Sequence, residues 1–163
     1  QLLSRLVRMI DVTNPKWLNS AEMKAWLGFV STSSDLLNLI SRDLEPFGID
    51  GGDYQLLHML SEAPDQKLKM CDLAERLRLS RSGLTRRMDG VVKAKYVSQV
   101  RDNQDGRVVF AHLTKKGFDF IKKIAPHHLE SVRSRIIDLL SPTEIHAFAS
   151  GFEKIAKNVK QSE

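Results

Sequence analysis

The chain has 163 residues, with 42% hydrophobic and 28% charged, the proportions of an ordinary globular domain and too short for two of average size. Its formal net charge of +5 favours a polyanionic partner over an acidic one. A single cysteine excludes an intrachain disulfide and any cysteine-rich zinc module, and no apolar run approaches the roughly 18 residues that span a bilayer. From this we expect a reducing, cytoplasmic setting with no membrane partner.

Leu2, Leu3, Leu6, Val7 and Ile10 have helical spacing, so a short leading helix is expected before the break at Asn14-Pro15. The apolar stretch at the amino end is too short for a signal peptide. Gln1 is not an initiator methionine, so the natural start is expected upstream. Asn19 or Ser20 can cap the next helix, with Glu22 answering Asn19 as in a capping box. That helix carries Trp26, Phe29, Val30, Leu36, Leu37 and Ile40 toward Pro46 and Gly48. Apolar residues on more than one side of it call for a partner beyond its own domain, most simply a second copy of the chain.

Gly51-Gly52-Asp53 starts a helix with Tyr54, Leu56, Leu57 and Leu60 that ends near Ala63-Pro64. Met70, Leu73, Ala74 and Leu77 make the following helix amphipathic, Leu79 tucks into a turn, and Ser80 caps the next one. In this second helix Leu84, Met88, Val91 and Val92 form the apolar face, opposite Ser82, Thr85, Arg86 and Asp89, with Arg81, Arg87 and Lys93 flanking. Small hydroxyls and arginines on one stripe suit a major groove, where close approach and bidentate donors to guanine are needed. Taken alone, such a stripe reads equally as a solvated face.

The next segment decides between these readings. Val97 to Arg101 and Val108 to Leu113 alternate like strands around an Asp105-Gly106 turn, and Arg101 and Arg107 sit at the tip. Arginine there suits the narrow, electronegative minor groove. Helix, turn, helix and basic hairpin together spell a winged helix. Thr114 then caps a helix with Phe118, Phe120, Ile121 and Ile124, which Pro126 is expected to kink or break before the pattern resumes to Leu140. Ser141-Pro142-Thr143-Glu144 starts a last helix with Ile145, Phe148, Phe152, Ile155 and Val159 on one stripe. The expected fold is mainly α, with one two-stranded β-hairpin.

From about Trp26 to the last helix the chain resembles the MarR family of winged-helix transcriptional regulators. The resemblance rests on Asp72-Leu73-Ala74, Leu84-Thr85-Arg86 with Asp89, Asp105-Gly106-Arg107 and Leu113-Thr114-Lys115-Lys116-Gly117, in that order and spacing. It implies one MarR-like chain over 1–163, with a DNA-binding lobe at 50–114 and dimerisation helices at 1–49 and 115–163. It further implies a homodimer reading an inverted repeat of double-stranded DNA through Arg81, Ser82, Thr85, Arg86, Arg87, Arg101 and Arg107, with Arg107 in the minor groove and Asp105 bracing the wing arginines. Two departures stand out. Ala94-Lys95 occupies a turn where many members have glycine, and Gly106 replaces a common second wing arginine.

Relatives bind phenolic or anionic effectors in a cleft that Trp17, Trp26, Tyr54 and His58 would line here, although aromatics at helical spacing are more often core residues. The adjacent His127 and His128, with Glu130 nearby, point about 100° apart on a helix and are poorly placed to share a metal ion. No metal or cofactor is expected. Cys71 reads as a small buried hydrophobe. No nucleophile–base–acid pattern and no glycine-rich phosphate loop is present, so an enzyme is not expected. The function expected is a DNA-binding regulator, in the first instance a repressor released by a small molecule. A winged-helix protein-interaction module without operator binding is the alternative, and it gives no reason to keep Arg81, Arg86, Arg87 and Arg107 together. A regulator bound to DNA constitutively, without an effector, has the same sequence signature.

Overall fold

A computed structural model describes residues 15–102 and 104–161, and the leading helix expected before Asn14 lies outside them. Two compact units divide between Leu36 and Leu37. In the first, helix α1 (Ser20–Arg42) begins on the expected capping box. Asn19 Oδ1 accepts the backbone N–H groups of Ala21 and Glu22 at 2.9 and 3.0 Å, while Glu22 Oε2 accepts that of Asn19 at 2.8 Å. Trp26, Leu27 and Val30 on this helix are each at least half exposed.

The second unit continues with α2 (Gly51–Ser61), β1 (Lys67–Lys69), α3 (Met70–Arg76), α4 (Arg81–Lys93), β2 (Val97–Arg101), β3 (Val109–Leu113), α5 (Lys115–Arg135) and α6 (Pro142–Gln161). The mainly helical winged-helix architecture expected from the sequence is what forms. The antiparallel sheet, however, has three strands in the order β1-β3-β2 rather than two. Lys69 faces Phe110 on one side of β3, and Val100 faces the same residue on the other. β1 escaped the sequence because its three residues, Lys-Leu-Lys, offer a single apolar side chain to an alternation pattern.

Leu56, Leu57 and Leu60 of α2, Leu73 of α3, Leu84, Met88 and Val91 of α4, Val97 of β2, Leu113 of β3 and Ile124 of α5 are all buried in one cluster. Val92, expected on the same face as Leu84, is 37% exposed, because it stands one residue beyond Val91 and so about 100° around the helix. Pro126 neither ends nor interrupts α5. It lacks one N–H, but Ile121 and Ile124 before it and Ser131 after it are buried and hold the helix on the core across the missing bond. The helix stops instead at Ile136, where the backbone turns to φ −134, ψ −63, and one 3-10 turn at Ile137–Leu139 precedes α6.

The junction of β3 with α5 explains one of the sequence departures. Lys95 adopts φ +62, in the left-handed region that glycine reaches at no steric cost, so this turn carries a strained lysine. Thr114 then ties the turn to the next helix. Its hydroxyl donates to the Lys95 carbonyl at 2.8 Å and accepts the Gly117 N–H at 3.0 Å. Behind it, a Cβ on Gly117 would lie 2.1 Å from the Tyr96 carbonyl oxygen, so only glycine fits. Gly117→Ala should therefore destabilise the fold by at least about 2 kcal/mol in urea unfolding; wild-type stability in this variant would mean that the α4–β2 turn does not pack on α5 as described.

Candidate nucleic-acid interface

The geometry of α4 follows from its cap and its buried face. Ser80 Oγ accepts the Gly83 N–H at 3.1 Å, as expected, and the preceding turn is held by Leu79 N–H donating to the Ala74 carbonyl at 2.9 Å. With Leu84, Met88 and Val91 buried, the helical period turns Ser82, Thr85, Arg86 and Asp89 to the exposed side. Arg81 is exposed in the first turn. The Thr85 hydroxyl donates to the Arg81 carbonyl at 3.0 Å, which fixes its orientation and leaves its lone pairs outward.

The wing approaches the same surface. A groove of about 530 Å³ is shared by Arg81 and Thr85 of α4, Gln99 of β2, Lys69 of β1 and Arg107 of the wing loop. Three of the expected contact residues thus meet in one place, and Ser82 and Arg86 stand on the adjoining exposed face. Lys69 and Gln99 are additions, Lys69 brought there by the strand the sequence did not disclose and Gln99 by the expected strand β2. Arg101 ends β2 on the exposed side.

Two carboxylates build the wing tip. Asp105 Oδ1 accepts the Arg107 backbone N–H at 3.0 Å and lies 3.5 Å from its Nε, the bracing expected. Asp102, unforeseen, accepts the N–H groups of Gln104 and Asp105 at 2.8 and 2.9 Å. These bonds, that from Asp105 first, hold its carboxyl below the ordinary aspartate range. The signal was present as an Asx turn, an aspartate two residues before its donor, but the Asp105-Gly106 pair masked it. Arg107 itself projects with its side chain 95% exposed.

Arg87 is placed differently from its neighbours. Its guanidinium Nη1 donates to Asp50 Oδ1 and, at 3.1 Å, to Asp53 Oδ1, both at the start of α2. Cys71 corrects another expectation. It is exposed rather than buried, lines the groove beside Arg81, and donates to Asp72 Oδ1 at 3.2 Å. It sits two positions before the buried Leu73, on the far side of a short helix from that side chain.

Of the effector candidates, Tyr54 and His58 line a cavity of about 550 Å³ together with Leu37, Ile40 and His128. The Tyr54 ring lies 4.0 Å from that of His128 and 6.1 Å from that of His58. His128 has its Nδ1 buried without a hydrogen-bond partner. Burial, and then the neighbouring His58, lower its pKa, while burial raises that of Tyr54. Trp17 and Trp26 belong to the other unit and are 81% and 55% exposed. Among the described residues no cluster of His, Cys, Asp and Glu is arranged to hold a metal ion, and no helix is long and apolar enough to cross a membrane.

A family model described as the MarR family matches residues 47–108, from the turn before α2 to the wing. The crystal structure of AbsC, a MarR family transcriptional regulator from Streptomyces coelicolor, has a TM-score of 0.82 at 33% identity and covers 90% of this chain and 99% of its own. Sco3205, a MarR family transcriptional regulator from the same organism solved in complex with DNA, has a TM-score of 0.81 at 27% identity over 89% of this chain and 91% of its own. The HTH-type transcriptional repressor YetL of Bacillus subtilis (strain 168) is 21% identical over 131 residues, 80% of this chain and 78% of its own. With the fold in agreement and a 33% identical relative spanning 90% of this chain, the chain belongs to the MarR family of DNA-binding transcriptional regulators, which are not enzymes.

Proposed function

We propose that this chain is a sequence-specific repressor that binds an inverted-repeat operator as a homodimer and is released by a small phenolic or anionic effector. The observation that carries the reading is the common groove of Arg81, Thr85 and Arg107, which joins the exposed stripe of α4 to the arginine of the wing. In a complex like that of the DNA-bound relative Sco3205, α4 enters the major groove and the wing the adjacent minor groove. Arg81, Ser82, Thr85 and Arg86 then meet base edges and nearby phosphates, and Arg101 and Arg107 the backbone and minor groove. The exposed apolar side chains Trp26, Leu27 and Val30 of α1 and Phe148, Ile155 and Val159 of α6 support a second copy as their cover. A cytoplasmic, reducing setting fits the exposed Cys71 thiol.

For the effector, the Tyr54–His58–His128 cavity offers aromatic walls and one unsatisfied polar atom, the combination that binds and orients a small aromatic acid. Binding there releases DNA only through unequal affinity for the DNA-bound and free arrangements.

Arg107→Ala should weaken operator binding and lower its salt slope by about one for each wing, whereas Arg86→Ala should relax base preference with less effect on random duplex. Fluorescence-anisotropy titrations across salt, on a selected and a random duplex, check both; unchanged affinity and slope in the two variants would contradict the placement of these side chains. In the cavity, His128 has a lower pKa folded than unfolded, so its contribution to stability is complete above the ordinary histidine value near pH 6.5 and is lost as pH falls below it. His128→Phe should flatten the decline of the urea midpoint between about pH 7 and pH 5, and a parallel decline in both proteins would remove His128 as its source.

A further inference from the structure

The start of α2 carries more than a helix cap. Asp50 Oδ1 accepts the Asp53 N–H at 2.8 Å, and Asp53 Oδ2 accepts the Asp50 N–H at 3.3 Å, a reciprocal capping box. Both carboxylates also receive the guanidinium of Arg87, from the middle of α4. The guanidinium lies so close over the first turn of α2 that a Cβ on Gly52 would sit 2.7 Å from its Cζ. Glycine at 52 thus keeps open the space that the clamp occupies. The far end of α2 is immobilised by Leu56, Leu57 and Leu60, all fully buried. Burial alone would raise the Asp50 pKa, yet the bonds from Arg87 and from the Asp53 N–H outweigh it and the carboxyl is held below its ordinary value.

Resting on the DNA-reading function above, we propose that Arg87 is a positioning residue. It fixes the rotation of the recognition helix about its own axis by bonding to the α2 capping box, and it does not touch DNA. The buried face of α4 sets which residues point outward, and the clamp on its flank restrains the remaining rolling motion. Arg86, one residue earlier and about 100° around the helix, is left to face the groove. Both bonds are charge-assisted and leave the one nitrogen Nη1, so a single donor group ties the two carboxylates together.

The test is the double variant Asp50→Asn and Asp53→Asn, which retains an acceptor oxygen at each cap position, leaves Arg87 in place and adds positive charge to the protein. If Arg87 positions α4, the ratio of affinity for the wild-type-selected duplex to that for a random duplex falls by about tenfold, despite the gain in charge. If Arg87 is instead a phosphate contact, freeing it strengthens binding to both duplexes with a steeper salt slope, and the proposal is overturned. Arg87→Lys, which keeps the charge on a shorter side chain with a more strongly hydrated ammonium, should fall between the double variant and wild type; a wild-type ratio in both overturns the proposal as well. Amide hydrogen exchange on the DNA-free protein separates this inference from the function it rests on. Faster exchange along α4 in the double variant supports the clamp whether or not wild type discriminates between duplexes, and unchanged exchange removes it. A wild type that shows no discrimination overturns the DNA-reading function, and the positioning role with it.

Discussion

Burial of Leu84, Met88 and Val91 against Leu56, Leu57, Leu60 and Leu73 is the contact on which the reading surface depends. A helix has only one way to bury three side chains at positions i, i+4 and i+7, and once it does so its opposite stripe is determined. Ser82, Thr85, Arg86 and Asp89 are exposed for this reason and not because of their polarity. The candidate reading residues are therefore positioned by residues buried beneath them. Full burial of a leucine or methionine is worth about 1.5–3 kcal/mol, far more than the exposed polar bonds that decorate the same helix. Loss of one such side chain would harm DNA reading through the orientation of α4 before it harmed any contact.

The wing follows a different logic. A five-residue strand on each side cannot hold a long loop in shape by packing, and none of the described residues of the tip is buried. Its order comes from backbone N–H groups captured by Asp102 and Asp105, which present Arg107 at full reach. A carboxylate beside each arginine reduces the local positive charge, yet it restricts the conformations the loop loses on binding. This wing relies on order more than on charge. The short β1 adds Lys69 to the groove behind it, restoring part of that charge from another element.

Much of this was legible because it depends on local chemistry. Asn19, Ser80, Thr114 and Ser141 all cap the helices they were expected to cap, since a side-chain acceptor three residues before a donor acts within one turn. The hidden features are those decided at a distance. β1 exists because β3 offers an edge, not because Lys-Leu-Lys favours a strand. Pro126 is tolerated because residues on both sides of it are buried. Cys71 is exposed because α3 is too short to bury more than Leu73 and Ala74 fully. Arg87 and Asp50 are 37 residues apart, and no local pattern pairs them. His128 gave no signal of its depth, because its partner Tyr54 comes from another helix. The candidate contact residues come from pattern and family likeness, and three of them, Arg81, Thr85 and Arg107, line one groove.

Net charge, a capped recognition helix and a braced wing converge on double-stranded DNA, and the exposed apolar faces of α1 and α6 on a dimer. Selection by the purified protein from a random duplex library tests this convergence most directly. A palindromic consensus whose half-sites lie about 10 base pairs apart, bound with a steep salt slope, is the result the account predicts. No enrichment, with only weak binding that salt abolishes, would contradict it and point to a winged helix used for contacts with other proteins.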